Sequence, residues 1–349
     1  MAVDIPGLVA SFMTFFGIYA ILSLSLNLEY GFGGQPNFGK VLFYSIGAYV
    51  AGYVSTLFLL YLRGQMVPIA SFEATILRAA TAESDPLANA LTFIASIVVA
   101  FILAGIIGYF ASFPALKLRE DYLGITLLVI AEMARIVIRG AEEFSGGTQG
   151  IGGITNPFIW IEDVKIRYLS YALLVWVFVI LAYITINRLA NSPYGRLLKS
   201  VRDDEMASQS LGKKVPLVKG QVLVVGSAFS GMAGVLYTFY SGFVQADGFI
   251  PIVTFTIWVM VIVGGTANVK GSIIGALIIS VIDLITRVAA IEIQTVVQFT
   301  LFDPNYLRYI AYSILIILTL MFRPKGLIPE KPVKTPAQDL INKKKKLEV

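Results

Sequence analysis

The residue types that most often do chemistry are missing from this chain. Its 349 residues include no cysteine and no histidine. That removes disulfides, thiolate chemistry, serine–histidine and cysteine–histidine nucleophiles and nearly all zinc sites, so no metal centre is expected. What remains are carboxylates, basic side chains and glycine-rich turns. Glu132 and Arg135 stand three apart inside an apolar run, Tyr122–Ile138. At 1.5 Å per residue Glu132 lies about 15 Å from Tyr122, near the middle of a bilayer if the run crosses one. A charge at that depth costs about 2.5–3.5 kcal/mol on insertion scales, so it should face protein or water, and an i,i+3 partner can neutralise it. Asp283 and Arg287 repeat the pattern at i,i+4, nearer the external end of their run. Two readings stay open. Glu132, Arg135 and Asp283 line a polar path across the membrane, or the pairs pin neighbouring helices. No two acids are placed for general acid and base work, so an enzyme is not expected.

Two loops carry further signals. Ser145–Gly153 reads Ser-Gly-Gly-Thr-Gln-Gly-Ile-Gly-Gly. A phosphate loop would need a lysine before its terminal hydroxyl residue, between a strand and a helix. Neither is present, so the chain is expected to bind no nucleotide and no cofactor of its own. The segment Asn191–Pro216 is more informative. Ser192-Pro193 starts a short helix carrying Leu197, Leu198 and Val201, with serine as cap and proline first. Asp203 is expected to cap a second short helix, with Asp204 and Glu205 in its first turn where they suit the helix dipole. Met206, Ala207, Ser210 and Leu211 fall on one side of it, and Gly212 stops it. Such a pair of helices can lie on a membrane surface or seat in a partner protein.

The elements that hold these residues follow from composition. The chain is 57% hydrophobic and 14% charged, with a mean hydropathy of +0.78. A soluble fold of this length would leave much of that apolar surface in water. The expected fold class is all-α, a polytopic integral membrane protein with about nine transmembrane helices. Candidate spans are Leu8–Leu28, Gly39–Leu62, Leu91–Leu116, Tyr122–Ile138, Leu169–Asn187, Gln221–Gly242, Pro251–Gly265, Gly271–Ala290 and Leu307–Phe322. The first lacks a basic leader and a cleavage pattern and is read as a retained span. Basic residues concentrate in Arg188–Lys219 and after Phe322, ending in Lys343–Lys346. These segments are assigned to the cytoplasm, with the N-terminus outside and the C-terminus inside a cell membrane. Residues 1–330 form one transmembrane domain with a cytoplasmic loop over 188–220, and 331–349 a basic cytoplasmic tail. The net charge of +5 is modest; the polybasic Lys343–Lys346 tail is expected near anionic lipid headgroups, and no nucleic acid is expected as a partner.

Several runs, in order, resemble the inner-membrane permeases of branched-chain amino acid ABC importers, in particular their LivM-like half. Leu24-Ser25-Leu26-Asn27-Leu28 before a glycine-rich turn opens the match. Phe113-Pro114-Ala115-Leu116-Lys117-Leu118-Arg119 and Asp121-Tyr122-Leu123-Gly124-Ile125-Thr126-Leu127 are its most specific part. Ala131-Glu132-Met133-Ala134-Arg135, Gly146–Ile151, Tyr194-Gly195-Arg196, Arg202–Ala207 with Leu211-Gly212, Gly264-Gly265 and Phe322–Leu327 continue it. The resemblance implies the ABC importer permease fold and a transport subunit rather than an enzyme. It implies a second permease subunit, a related heterodimer partner. It also implies an external substrate-binding protein and two cytoplasmic ATPase subunits that hold ATP and magnesium. Contact with the ATPases would run through Arg202, Asp203, Asp204, Glu205, Met206, Ala207, Leu211 and Gly212. The polar loop Arg63–Asn89, the insert Ile291–Asn305 and Gly-Thr-Gln-Gly in place of a Gly-Gly-Pro-Asn-Gly pattern depart from the family. A urea or amide importer of the same type therefore stays open beside an amino-acid importer, as does an ion-coupled secondary transporter.

Overall fold

The computed structural model describes residues 5–115, 120–296 and 306–330. Among them the chain is helical, with a single isolated β-bridge, Ile151 to Val244. The long helices are α1 (Ile5–Leu26), α2 (Lys40–Leu59), α4 (Pro86–Ala115), α5 (Glu120–Gly140), α7 (Val164–Asn191), α10 (Val215–Ser241), α11 (Pro251–Gly264), α12 (Val269–Val296) and α13 (Leu307–Phe322). Short helices sit between them: α3 (Phe72–Ser84), α6 (Glu142–Ser145), α8 (Pro193–Asp203) and α9 (Glu205–Ser210).

Seven of these segments are long and apolar enough to cross a membrane. They are Pro6–Phe32, Lys40–Arg63, Pro86–Phe113, Val164–Asn191, Val215–Ser241, Ala246–Gly264 and Val269–Ala290. Helices also cover the two remaining expected spans, but these fall outside that criterion. The α13 helix has 16 residues, and α5 carries Glu120, Asp121, Glu132, Arg135 and Arg139. Both are short on the apolar length that a lipid-facing crossing requires. The expected polar loop Arg63–Asn89 contains α3, capped by the Ser71 hydroxyl, which accepts from the Ala74 N–H. The basic tail 331–349 and residues 116–119 of the sequence motif lie outside the described residues.

The most buried helix, α10, packs against α4, α2 and α1, and α1 in turn packs against α7, α12 and α11. Small residues let these backbones approach. A Cβ on Gly47 of α2 would come within 1.8 Å of the Gly231 carbonyl of α10, and one on Gly234 within 2.1 Å of the Tyr44 carbonyl. Close backbone approach through glycine supports van der Waals packing, which helps drive helix association where no hydrophobic gain separates helix from lipid. The α11–α12 hairpin uses the same device. A Cβ on Gly275 would meet the Met260 carbonyl at 1.8 Å.

The helix ends sort into two groups. At one end α8, α9, the α11–α12 turn and residues 323–330 gather. There Leu327 N–H donates to Val263 O and Asn268 Nδ2 to Pro329 O. At the other end α3 is tied to residues 151–156. Arg78, fully buried, donates to the carbonyls of Gly152 (2.9 Å) and Ile69 (2.7 Å) and to Thr56 Oγ1 (2.9 Å). Burial pushes its guanidinium down to about 10, against a smaller upward pull from Tyr61. A guanidinium in this setting is a cross-linker of carbonyls, which its rigid fork of donors suits.

Candidate functional site

The α8–α9 unit is built largely as its sequence implies. Ser192 Oγ accepts from the Tyr194 and Gly195 N–H groups, with Pro193 at the first turn. Leu198 and Val201 are buried against the bundle. The second cap is shifted by one residue. Asp203 ends α8 and pairs with Arg202 at 2.9 Å, while Asp204 caps α9 by accepting from the Ala207 N–H. Asp204 holds extended backbone, the conformation a capping residue needs, whereas Asp203 is still helical. The α9 helix is fixed from beneath. Lys219 of α10 pairs with Glu205 at 2.7 Å, and Ser208 Oγ donates to Ser200 O at 3.0 Å. Its other face is bare: Met206 is 79% and Leu211 80% exposed, with Ala207 and Ser210 exposed beside them.

Arg202 points the opposite way from Met206. Its guanidinium donates to the Gly31 carbonyl at 2.6 Å and pairs with Glu330 at 3.1 Å. Burial pulls this arginine down, but Asp203 and Glu330 lift it above the ordinary arginine value. Arg202 thus anchors α8 to the bundle and leaves the exposed surface to α9. Gly31 belongs to a π-helical turn, Asn27–Phe32, that ends α1. Such turns are rare and concentrate at functional positions.

That turn joins four helices. Asn27 Nδ2 donates to Asn268 O (2.9 Å) and Ser272 Oγ (2.6 Å), and Asn27 Oδ1 accepts from the Ala267 N–H (2.9 Å). Ala267 is held at φ 58 there, a strained conformation that the surrounding contacts impose. Two residues on, Glu29 pairs with Lys40 of α2 at 2.8 Å, with both side chains 0% exposed. Asn37 Nδ2 donates to the other Glu29 oxygen at 3.0 Å, and Lys40 Nζ donates to Gly226 O of α10 at 3.1 Å. Gly226 makes room for the carboxylate, since a Cβ there would lie 2.0 Å from Glu29 Oε1. Sequence reasoning missed this pair. Its signal was a lone acid and a lone lysine on either side of the Gly31–Pro36 breaker, both inside otherwise apolar runs.

The structure also brings together the expected membrane charges. Arg135 donates to both Glu132 oxygens, at 3.0 and 2.5 Å, and reaches Asp247 at 3.1 Å, which Arg139 approaches at 3.6 Å. Asp247 lies just before α11 and had no local signal in the sequence. Asp283 pairs with Arg287 as its spacing implies, and Arg308 (3.6 Å) and Tyr312 (3.4 Å) of α13 converge on the same carboxylate. The two clusters sit on different helices, and no contact joins them among the described residues.

Residues 8–320 match the family model of the branched-chain amino acid transport system permease component. The chain belongs to this permease family. A probable branched-chain amino acid transport permease protein LivM of Methanocaldococcus jannaschii is 33% identical over 353 residues, spanning 100% of this chain and 99% of the relative. High-affinity branched-chain amino acid transport system permease proteins LivM of Escherichia coli and Salmonella typhimurium are each 26% identical over 334 residues, covering 89% of this chain and 68% of each relative. The permease is thus a multi-pass, all-α membrane protein of a transport family. In it the π-turn, the α8–α9 unit and the two charge clusters are the polar features to be explained.

Proposed function

We propose that this permease forms one half of the membrane pathway of an ATP-driven importer for branched-chain or similar apolar amino acids. One observation carries the reading: the bare apolar face of α9, on a helix fixed from beneath by Glu205–Lys219 and joined through α8 and Arg202 to the π-turn. A six-residue helix is too short to persist alone, yet here it is stapled in place and presents Met206 and Leu211 outward. Anionic headgroups would repel the exposed Asp203 and Asp204, whereas a protein groove bearing arginine or lysine would attract them. The occupant is a cytoplasmic ATPase subunit, one of two, which holds ATP and magnesium that this chain does not bind. Its movement passes through Arg202 into the π-turn and so to α2, α10 and α12.

The basic α8–α9 end is cytoplasmic, the N-terminus external, and a related second permease subunit completes the pathway. An external binding protein delivers substrate at the opposite end. Glu132, Arg135 and Asp283 supply polar surface along that route. The substrate class is that of the branched-chain amino acid permeases this chain resembles. An ion-coupled transporter would have no use for a stapled, outward-facing α9.

The test is co-purification with the two ATPase subunits. Ala207 is exposed, so Ala207→Trp leaves the bundle undisturbed and should abolish ATPase capture while the permease still inserts. Unchanged capture together with unchanged uptake would overturn the assignment.

A further inference from the structure

A cleft of about 230 Å³ lies between the first half of α1 and the last half of α12, at the end of the bundle opposite α8 and α9. Its volume is below the roughly 300–1,000 Å³ of drug-sized sites, which suits a smaller ligand. One wall is apolar and aromatic, formed by Phe12, Phe15 and Leu284. The other is polar, formed by Tyr19, Ser280, Asp283 and Arg287. Three features mark it as more than an ion pair that pins helices. The Ser280 side chain is buried, at 4% exposure, and its hydroxyl has no hydrogen-bond partner. An unpaired buried hydroxyl is destabilising, and a bound polar group would relieve it. Asp283 faces two guanidiniums, Arg287 and Arg308, which leaves one positive charge in excess in the cluster. Arg287 is 48% exposed and spends part of its donor fork on Asp283, with its face over the Phe15 ring at 5.4 Å. The remaining donors are open to the cleft.

We propose that this cleft is a subsite for an α-amino acid with an apolar side chain. The ligand carboxylate meets Arg287, its ammonium meets Asp283 and the Ser280 hydroxyl, and its side chain packs on Phe12, Phe15 and Leu284. The excess positive charge and the free donors of Arg287 favour the carboxylate, while Asp283 and the Ser280 hydroxyl favour the ammonium, so both poles of an amino acid find a partner in one cleft. The apolar wall excludes small polar amides such as urea, which could not fill it. The cleft opens at the end where the binding protein would release its cargo, so it would serve as the first resting place within the permease. The inference rests on the proposed amino-acid importer, and its test keeps the two apart.

The chain has no cysteine, so Ser280→Cys gives one reactive thiol in this subunit, read by mass spectrometry of the labelled peptide. The assembled importer in nanodiscs is treated with a small methanethiosulfonate, with and without L-leucine. Leucine at about ten times its Kd should slow labelling about elevenfold, the factor of one plus the ratio of ligand to Kd. Isovalerate and 3-methylbutylamine, each lacking one pole, should protect less, and Arg287→Gln in the same background should remove protection. If Ser280→Cys does not assemble, or its buried thiol is not labelled without leucine, Ser11→Cys on the facing wall carries the same measurement. Labelling indifferent to leucine overturns the subsite, as does labelling that follows phosphatidylglycerol content instead. Leucine uptake by the unmodified importer is scored separately: its absence refutes the substrate reading, and protection alone decides the cleft.

Discussion

Replacing Lys40 with methionine removes one member of a fully buried pair while keeping the volume of the chain. The lysine gives Glu29 its 2.8 Å ion pair and donates to Gly226 O at 3.1 Å. Gly226 O keeps a second donor in Ser230 Oγ at 2.9 Å, so the carbonyl is not orphaned. Glu29 is left with Asn37 alone, 0% exposed. Breaking a buried pair from one side costs about 3–5 kcal/mol, whereas replacing both members by apolar groups of similar volume is often neutral or stabilising. Lys40→Met should therefore lower the folded-to-unfolded ratio by roughly two to three and a half decades. Lys40→Met with Glu29→Leu should recover most of that loss. The assay is the fraction of detergent-solubilised permease that stays monodisperse after graded heating. The two outcomes separate stability from coupling, because the rescued double variant should still lose substrate uptake at unchanged ATP hydrolysis if the turn transmits motion. A single variant as heat-stable as the parent, or a double variant as heat-labile as the single, would refute the reasoning.

Glu132→Gln should impair uptake while assembly and ATP hydrolysis persist, because Arg135 keeps Asp247 as a partner at 3.1 Å; reduced stability with normal uptake by the surviving protein would make the pair structural. Arg78→Met should loosen α3 from Gly152, Ile69 and Thr56, since three close charged hydrogen bonds are lost, each worth about 1.5–3 kcal/mol; faster limited proteolysis between α2 and α4 is the readout, and unchanged cleavage would contradict it. Single cysteines at the exposed positions Thr148 and Ser200 should be labelled from opposite sides of the membrane, and same-side labelling would overturn the orientation.

Much of the helical framework was legible because each span is an unbroken apolar run bounded by glycine, proline or charge. The α8–α9 unit was legible for the same local reasons, except that Asp203, Asp204 and Glu205 stand in a row and composition alone does not say which acid takes the extended cap conformation. The Glu132–Arg135 and Asp283–Arg287 contacts follow from helical spacing. The rest depends on contacts far apart in the chain. Asp247 meets a residue 112 positions away, Arg308 and Tyr312 reach Asp283 from another helix, and Arg202 meets Gly31 across 171 positions. The family resemblance placed Arg202 with Asp203–Ala207 in the ATPase contact, and nothing in its local sequence signalled an inward partner. Its side chain instead turns inward, because Gly31 O and Glu330 offer partners there. Helices stand at all nine expected spans, and α5 carries its polar pairs in place of some apolar length.

The central claim is that ATP hydrolysed by subunits docked on α9 drives transport through this permease. The direct measurement is uptake of labelled L-leucine into proteoliposomes holding the full importer and its binding protein. ATP is supplied on the α9 side, and the parent is compared with Leu211→Asp, an exposed position whose change leaves the bundle intact. The account predicts uptake that requires ATP, is indifferent to proton and sodium gradients, and is lost in Leu211→Asp together with ATPase docking. Uptake driven by an ion gradient without ATP, or undiminished in Leu211→Asp, would contradict it.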